Sequence, residues 1–270
     1  MDNTIQIPEN FNKRILTQFQ DVEEVTQLHQ EFKDIVSQYN LLGAGSNLLS
    51  QNTWIYYVHY CSLLNELIQN KNSLIIDWGG LFGHITMLLH TMGLKNTYNY
   101  LLDVSSNYAY FKDHFNIPTK LGTDPNQLAL EDNSVDVFLS SGVLEHVMED
   151  GVGDQDKIVN EIYRCIKPGG VFVIWNLPTY LGTSELVAIL FKKLRHQFRF
   201  TNKDVKNMYA KTDFKLLYQD KMKFLPGSVM EKFMGSGNDV RNVQRDFTLS
   251  HIFPFSVFAR DHLIVLQKPS

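Results

Sequence analysis

Leu74-Ile75-Ile76-Asp77-Trp78-Gly79-Gly80-Leu81-Phe82-Gly83 is the stretch on which the fold turns. A short apolar run meets a carboxylate and then three glycines, which reads as a buried strand, a tight turn and the start of a helix. Glycine in such a turn lets backbone amides approach a ligand closely, and the helix that follows points its N-terminus at whatever binds. Glycines between strand and helix also serve plain turns, so the glycines alone name no ligand. No register of Gly79, Gly80 and Gly83 supplies Gly-x-Gly-x-x-Gly, which disfavours a nicotinamide dinucleotide. Asp77 is sharper: a carboxylate at the end of an apolar strand costs several kcal/mol unless it is paired or hydrogen-bonded. A cationic ligand group is a natural partner.

Downstream of Ser73, short apolar runs alternate with helical ones, the signature of βα units around a parallel sheet. Strands are expected at 74–77, 98–103, 119–122, 135–140, 171–176, 214–218 and 262–267. Helical segments are expected to begin near Gly83, Ser106, Asn126 and Asp156, and to cover 183–198 and 202–211. Upstream, Phe11, Ile15, Phe19, Val22, Val25, Leu28, Phe32, Ile35 and Tyr39 step by three or four, which predicts one long amphipathic helix or two stacked ones. Gly43 to Asn47 break that pattern, and 53–69 resumes it. The chain thus divides into a helical N-terminal cap at 1–72 and a main domain at 73–270. Residues 227–254 carry the weakest pattern.

Composition bounds the function. With 270 residues, 44% hydrophobic and 20% charged, 16 Gly and 8 Pro, the sequence is that of an ordinary globular protein, neither disordered nor fibrous. A formal net charge of −4 provides no global basic field for a phosphate backbone, so nucleic-acid binding is not expected. Cys61 and Cys165 lack CxxC spacing and predict reduced, packing thiols in a cytoplasmic protein. The polar start Met1-Asp2-Asn3-Thr4 does not resemble a signal peptide. The most apolar long window, Leu74 to Leu94, holds Asp77, His84, His90 and four glycines, so no stable membrane insertion is expected.

A second carboxylate, Asp103, ends the next apolar stretch twenty residues beyond Gly83, where it can accept both hydroxyls of a ribose. Each Asp alone could as well cap a helix. Jointly, at this spacing, they favour a nucleoside carrying positive charge. Here the chain resembles the class I S-adenosylmethionine-dependent methyltransferases, particularly the group with a Leu-Glu-His stretch after the fourth strand. The motifs recur in order: Ile76 to Gly83, Leu101-Leu102-Asp103, Gly122-Thr123-Asp124, Asp132 to Phe138, Ser140 to Val147 and Lys167-Pro168-Gly169-Gly170. One departure is Leu81, where the family favours glycine.

The resemblance implies an α/β, Rossmann-like fold of three layers: a seven-stranded mixed sheet with an antiparallel last strand, plus helical cap elements. Residues 73–270 would be the S-adenosylmethionine-binding catalytic domain, with a cap insertion at about 180–255. It implies S-adenosyl-L-methionine as cofactor, held by Asp77, Gly79, Gly80 and Gly83, by Asp103 at the ribose, by Asp124 at the adenine amino group and by Ser141 at the methionine moiety. Asp124 could instead cap a helix near Asn126, and Ser141 could serve a plain turn. Lys167-Pro168-Gly169-Gly170 reads as structural, ending a helix and opening the fifth strand.

Methyl transfer from a sulfonium is an in-line displacement, so the protein must align acceptor, methyl and sulfur and, for hydroxyl or amine acceptors, remove a proton. His146, just past the fourth strand, is the candidate base. The alternative is that Glu145 and His146 begin a helix and act structurally. His84 and His90, six apart on one helix, cannot share a metal, and Gly142 interrupts a Glu-x-x-Glu-His pattern, so no metal is expected. An amphipathic stretch at 180–199 sets Leu186, Val187, Leu190, Phe191 and Leu194 against Lys192, Lys193, Arg195 and Arg199. Trp54, Tyr56 and Tyr57 either wall a substrate pocket or pack the core. The expected activity is methylation of a small molecule, a metabolite or a sugar-bearing intermediate. A catalytically silent S-adenosylmethionine-binding partner subunit is the alternative, and an NAD-linked dehydrogenase the third reading.

Overall fold

A computed structural model describes residues 5–13, 22–41, 46–102, 106–149, 153–190, 196–225 and 240–270. Seven strands form one sheet in the order β3-β2-β1-β4-β5-β7-β6. They are β1 (Ile75–Trp78), β2 (Thr97–Leu101), β3 (Thr119–Leu121), β4 (Val135–Ser141), β5 (Ile166–Pro178), β6 (Lys215–Met222) and β7 (Asp261–Gln267). The first five run parallel, and β7 pairs antiparallel with both β5 and β6. This is the mixed seven-stranded sheet, with its antiparallel last strand, that the sequence predicts.

Strands β1, β2, β4, β5 and β7 are buried on both faces, because helices cover the sheet above and below, and their residues alternate between two cores, while β3 and β6 at the sheet edges are partly exposed. On one side Ile75, Val137, Leu139, Val173, Trp175 and Val265 meet α1 (Val22–Gln38), α2 (Gln51–Leu67), α3 (His84–Thr91), α4 (Ser106–Phe115) and α8 (Val240–His251). On the other Ile76, Phe138, Phe172, Ile174 and Leu266 meet α5 (Gln155–Cys165) and α7 (Asn202–Tyr209). α5 shows the rule plainly: Ile158, Val159, Ile162 and Cys165 are its buried residues, and Asp154 caps it by accepting from the amides of Asp156 and Lys157. The segment 180–255 supplies α6 (Thr183–Leu190), α7, β6 at the sheet edge and α8.

Four expectations change. The helical pattern expected from Phe11 is met only by α1, because residues 11–13 lie in turns and 14–21 lie outside the described residues. No helix begins near Asn126; Asp124 Oδ1 instead accepts the Asn126 amide at 2.7 Å in a short Asx turn. The backbone there is claimed by α5: Arg164 donates to the Leu128 and Leu130 carbonyls at 3.1 and 2.9 Å, and Glu161 accepts the Leu128 amide at 3.1 Å. Glu145 and His146 likewise begin no helix, because they lie in turns and α5 starts only at Gln155. The helix expected over 183–198 spans Thr183–Leu190; residues 191–195 lie outside the described residues, and 196–199 are not helical.

Candidate functional site

Strands β1 to β3 step one way across the sheet and β4 to β5 the other, so the order reverses between β1 and β4. Open α/β sheets bind ligands at the carboxyl edge of such a reversal. The register sets Asp77 beside Asn99 on β2 and Leu139 on β4, with Trp78 beside Ser140. Chemistry-bearing side chains are thereby gathered from chain positions more than sixty residues apart.

Buried polar atoms without partners concentrate at this edge. Asp77 is fully buried; its Oδ2 accepts from Thr86 Oγ1 at 3.0 Å while Oδ1 has no partner. Burial raises its carboxyl to about 7, with the hydrogen bonds from Thr86 acting against that. Both amide atoms of Asn99, both ring nitrogens of His84, Ser140 Oγ and Glu145 Oε2 are buried without partners too. Burial lowers His84 to about 3, so its imidazole is neutral, and its ring meets Tyr57 edge-on at 4.5 Å. Native proteins rarely leave such atoms unsatisfied, because each costs about 1–3 kcal/mol.

The glycine turn explains the room around them. A Cβ on Gly80 would overlap Asn99 Oδ1 and Asp77 Oδ2, so only glycine lets the turn pass over the two polar side chains. Gly79 and Gly83 have φ of 67° and 72°, and Gly83 caps α3. Leu81 also sits in the left-handed region, at φ 44°, and is exposed. A positive φ at this position favours glycine, and leucine carries the strain here.

At the end of β4, Asn176 Nδ2 donates to Ser141 Oγ at 3.1 Å, and Lys223 Nζ donates to Asn176 Oδ1 at 2.5 Å while pairing with Asp261 at 3.2 Å. Burial drives the Tyr57 hydroxyl upward, opposed by a hydrogen bond from Ser141. Tyr57 thus reaches the site, while Trp54 and Tyr56 are core residues. His146 is exposed beyond them, its Nδ1 2.6 Å from Glu149 Oε2. Burial raises Glu145 to about 8. Asp124 is exposed after β3 at the same edge, and Asp103 lies outside the described residues.

Asp77, the three glycines, Ser141 and His146 therefore share the carboxyl edge the sequence assigned them. Asn99, Asn176, Lys223 and Asp261 were missed. An Asn within an apolar strand was the one available signal, since Asn is depleted from strands; the others are brought in only by the fold.

A family of methyltransferase domains matches residues 76–174, which hold β1 through most of β5. No curated protein matches the chain. Among solved structures it is similar to geranyl diphosphate C-methyltransferase from Streptomyces coelicolor A3(2), in complex with Mg2+, geranyl diphosphate and S-adenosyl-L-homocysteine. That likeness has 13% identity and a TM-score of 0.52 and covers 86% of each chain. It is also similar to a SAM-dependent methyltransferase from Methanosarcina mazei, at 15% identity and a TM-score of 0.51, covering 77% of this chain and 97% of that one. At such identities the structures speak for the fold alone, a Rossmann-like methyltransferase fold, and the family match places a methyltransferase domain over residues 76–174.

Proposed function

We propose that this chain moves a methyl group from S-adenosylmethionine to a hydroxyl or amine of a small molecule at the carboxyl edge between β1 and β4. The observation that carries this reading is the set of buried, unpartnered polar atoms of Asp77 and Asn99 around the space that Gly80 keeps open. They fit a ligand that brings both cationic and hydrogen-bonding groups. Asp77 with Gly79, Gly80 and Gly83 would hold the methionine end with Ser141, Asp103 the ribose and Asp124 the adenine edge. When bound, the cofactor supplies a methyl group on a positively charged sulfur, activated without help from the protein.

The remaining work falls to the chain: excluding water, aligning the acceptor and taking its proton. His146 would accept that proton, oriented by Glu149 at its Nδ1. The mildly acidic chain supports a small acceptor over a nucleic acid, and free, buried Cys61 and Cys165 support a reducing, cytoplasmic setting. Among the described residues no helix is long and apolar enough to cross a membrane.

Calorimetry tests the cofactor side. S-adenosylhomocysteine is expected to bind and NAD to give no heat; tight NAD binding without an S-adenosylhomocysteine signal would overturn the reading. With a small-molecule acceptor in hand, His146→Ala is expected to lower kcat by about 10²–10⁴ and to leave cofactor affinity nearly unchanged. Normal turnover per folded molecule would remove the base assignment.

A further inference from the structure

Just outside the cofactor edge, three groups able to bind a cation converge from separate parts of the chain. Glu145 and His146 follow β4, and His196 lies fifty residues on, beyond α6. One ligand atom from each lies within 4.8 Å of the others. Glu145 Oε1 stands 4.0 Å from His146 Nε2, and its second oxygen is buried without a partner in a residue only 2% exposed. Both imidazoles are held from behind by carboxylates. Glu149 Oε2 is 2.6 Å from His146 Nδ1, and Glu185 Oε1 is 2.7 Å from His196 Nδ1, with Glu185 itself buried.

This arrangement leaves Nε2 of each ring for a ligand. A carboxylate behind an imidazole fixes its tautomer and raises its basicity, the outer-shell pattern of metal-ligating histidines. A solvated cluster of surface charge would have no reason to bury one carboxylate oxygen without a partner, at a cost of about 1–3 kcal/mol.

We propose that Glu145, His146 and His196 form a binding site for a divalent transition-metal cation of the zinc class, with Glu149 and Glu185 as its outer carboxylates. Two nitrogens and one oxygen suit a borderline cation, whereas Mg2+ and Ca2+ favour all-oxygen sites. With metal–ligand bonds of about 2.0–2.2 Å, the ligand atoms must close to roughly 3.4 Å of one another. Rotation of exposed His146 and partly exposed His196 provides that movement. Three protein ligands leave a position open for an oxygen of the acceptor, a purpose that rests on the methyltransferase reading, although cation binding itself does not. With the cation in place His146 is a ligand, and its proton-accepting role belongs to the cation-free protein. Sequence spacing hid the set, because Gly142 interrupts the local pattern and the third ligand arrives from the segment after α6.

The full-length chain, stripped with a chelator, is titrated with Zn2+ and separately with Mg2+, and each protein sample is titrated with S-adenosylhomocysteine in parallel. One Zn2+ per chain is expected, and no Mg2+ binding. His196→Ala should weaken Zn2+ by at least ~100-fold and Glu185→Gln by about 10–100-fold, with S-adenosylhomocysteine affinity retained as the check on folding. Wild-type protein that binds S-adenosylhomocysteine but not Zn2+, or binds Zn2+ no more tightly than His196→Ala does, would overturn the proposal. Loss of the S-adenosylhomocysteine signal in the wild type would count against the methyltransferase reading alone.

Discussion

Asp77 shows at the residue scale what a buried carboxylate with one partnerless oxygen costs in stability. Burial raises its carboxyl from the ordinary 3.8 to about 7, so between those values the folded chain holds a proton that the unfolded chain has released. The stability this proton carries is complete below about pH 4 and is lost as pH rises through 7. At about 1.4 kcal/mol per pH unit, ionised Asp77 costs the cofactor-free protein on the order of 2–4 kcal/mol at pH 8. Asp77→Asn keeps the shape and removes the charge. It is expected to melt higher than wild type at pH 8, to melt alike near pH 4, and to bind S-adenosylhomocysteine more weakly. Glu145, raised to about 8 by burial, adds a slope of the same sign, which the comparison of the two proteins cancels. Melting curves at both pH values decide the matter; a variant no more stable at pH 8 would show that Asp77 finds its compensation inside the protein. Asp77 was legible because its anomaly is local, an acid at the end of an apolar run. Asn99 becomes visible only once the β1–β2 register sets it beside Asp77.

At the scale of elements, what could be read was whatever its own composition determines. The strands declared themselves as apolar runs bounded by Gly, Asp or Ser, and their observed ends mostly fall within a few residues of those expected. The motif Lys167-Pro168-Gly169-Gly170 was structural, as read, but it lies inside β5, where the pairing with β4 shifts register between Val135 and Val137. Lys167 reaches both Asp136 oxygens at 2.8 Å across that irregularity. The expected helix near Asn126 failed for a non-local reason: Arg164 and Glu161, over thirty residues away, supply the hydrogen bonds that a helix would have made internally. α8 escaped notice because its inward face mixes Val243 and Phe247 with buried Asn242, Asp246 and Ser250. Asp246 accepts from the Tyr56 hydroxyl and from the amides of Phe224 and Leu225, so that polar face is fully used. An amphipathic count registers such residues as surface and misses the helix.

For the whole molecule, the consequential contact is between the N-terminal helices and the glycine turn. Phe32 of α1 packs against Trp54 of α2 at 5.4 Å, against Phe82 of the turn at 6.1 Å and against Phe111 of α4 at 4.7 Å. Phe82 and Phe111 meet at 4.8 Å, and all four rings are buried. A residue two positions from Gly80 is thus wedged by a helix about fifty residues earlier in the chain, which ties the backbone of the glycine turn to the packing of α1 and α2. Phe32→Ala should cost about 3–5 kcal/mol, as expected for emptying a closely packed aromatic site. Against total stabilities of about 5–15 kcal/mol, that is a large share in a single residue. The expected outcome is one cooperative urea transition at a lower midpoint, together with S-adenosylhomocysteine binding several-fold weaker per folded molecule, since Phe82 loses its wedge. Saturating S-adenosylhomocysteine should then recover part of the lost midpoint, because a ligand that binds only the folded chain stabilises it by RT ln(1 + [L]/Kd). Two separate transitions, or unchanged affinity in a destabilised variant, would mean that the N-terminal helices and the glycine turn are independent despite their shared aromatic core.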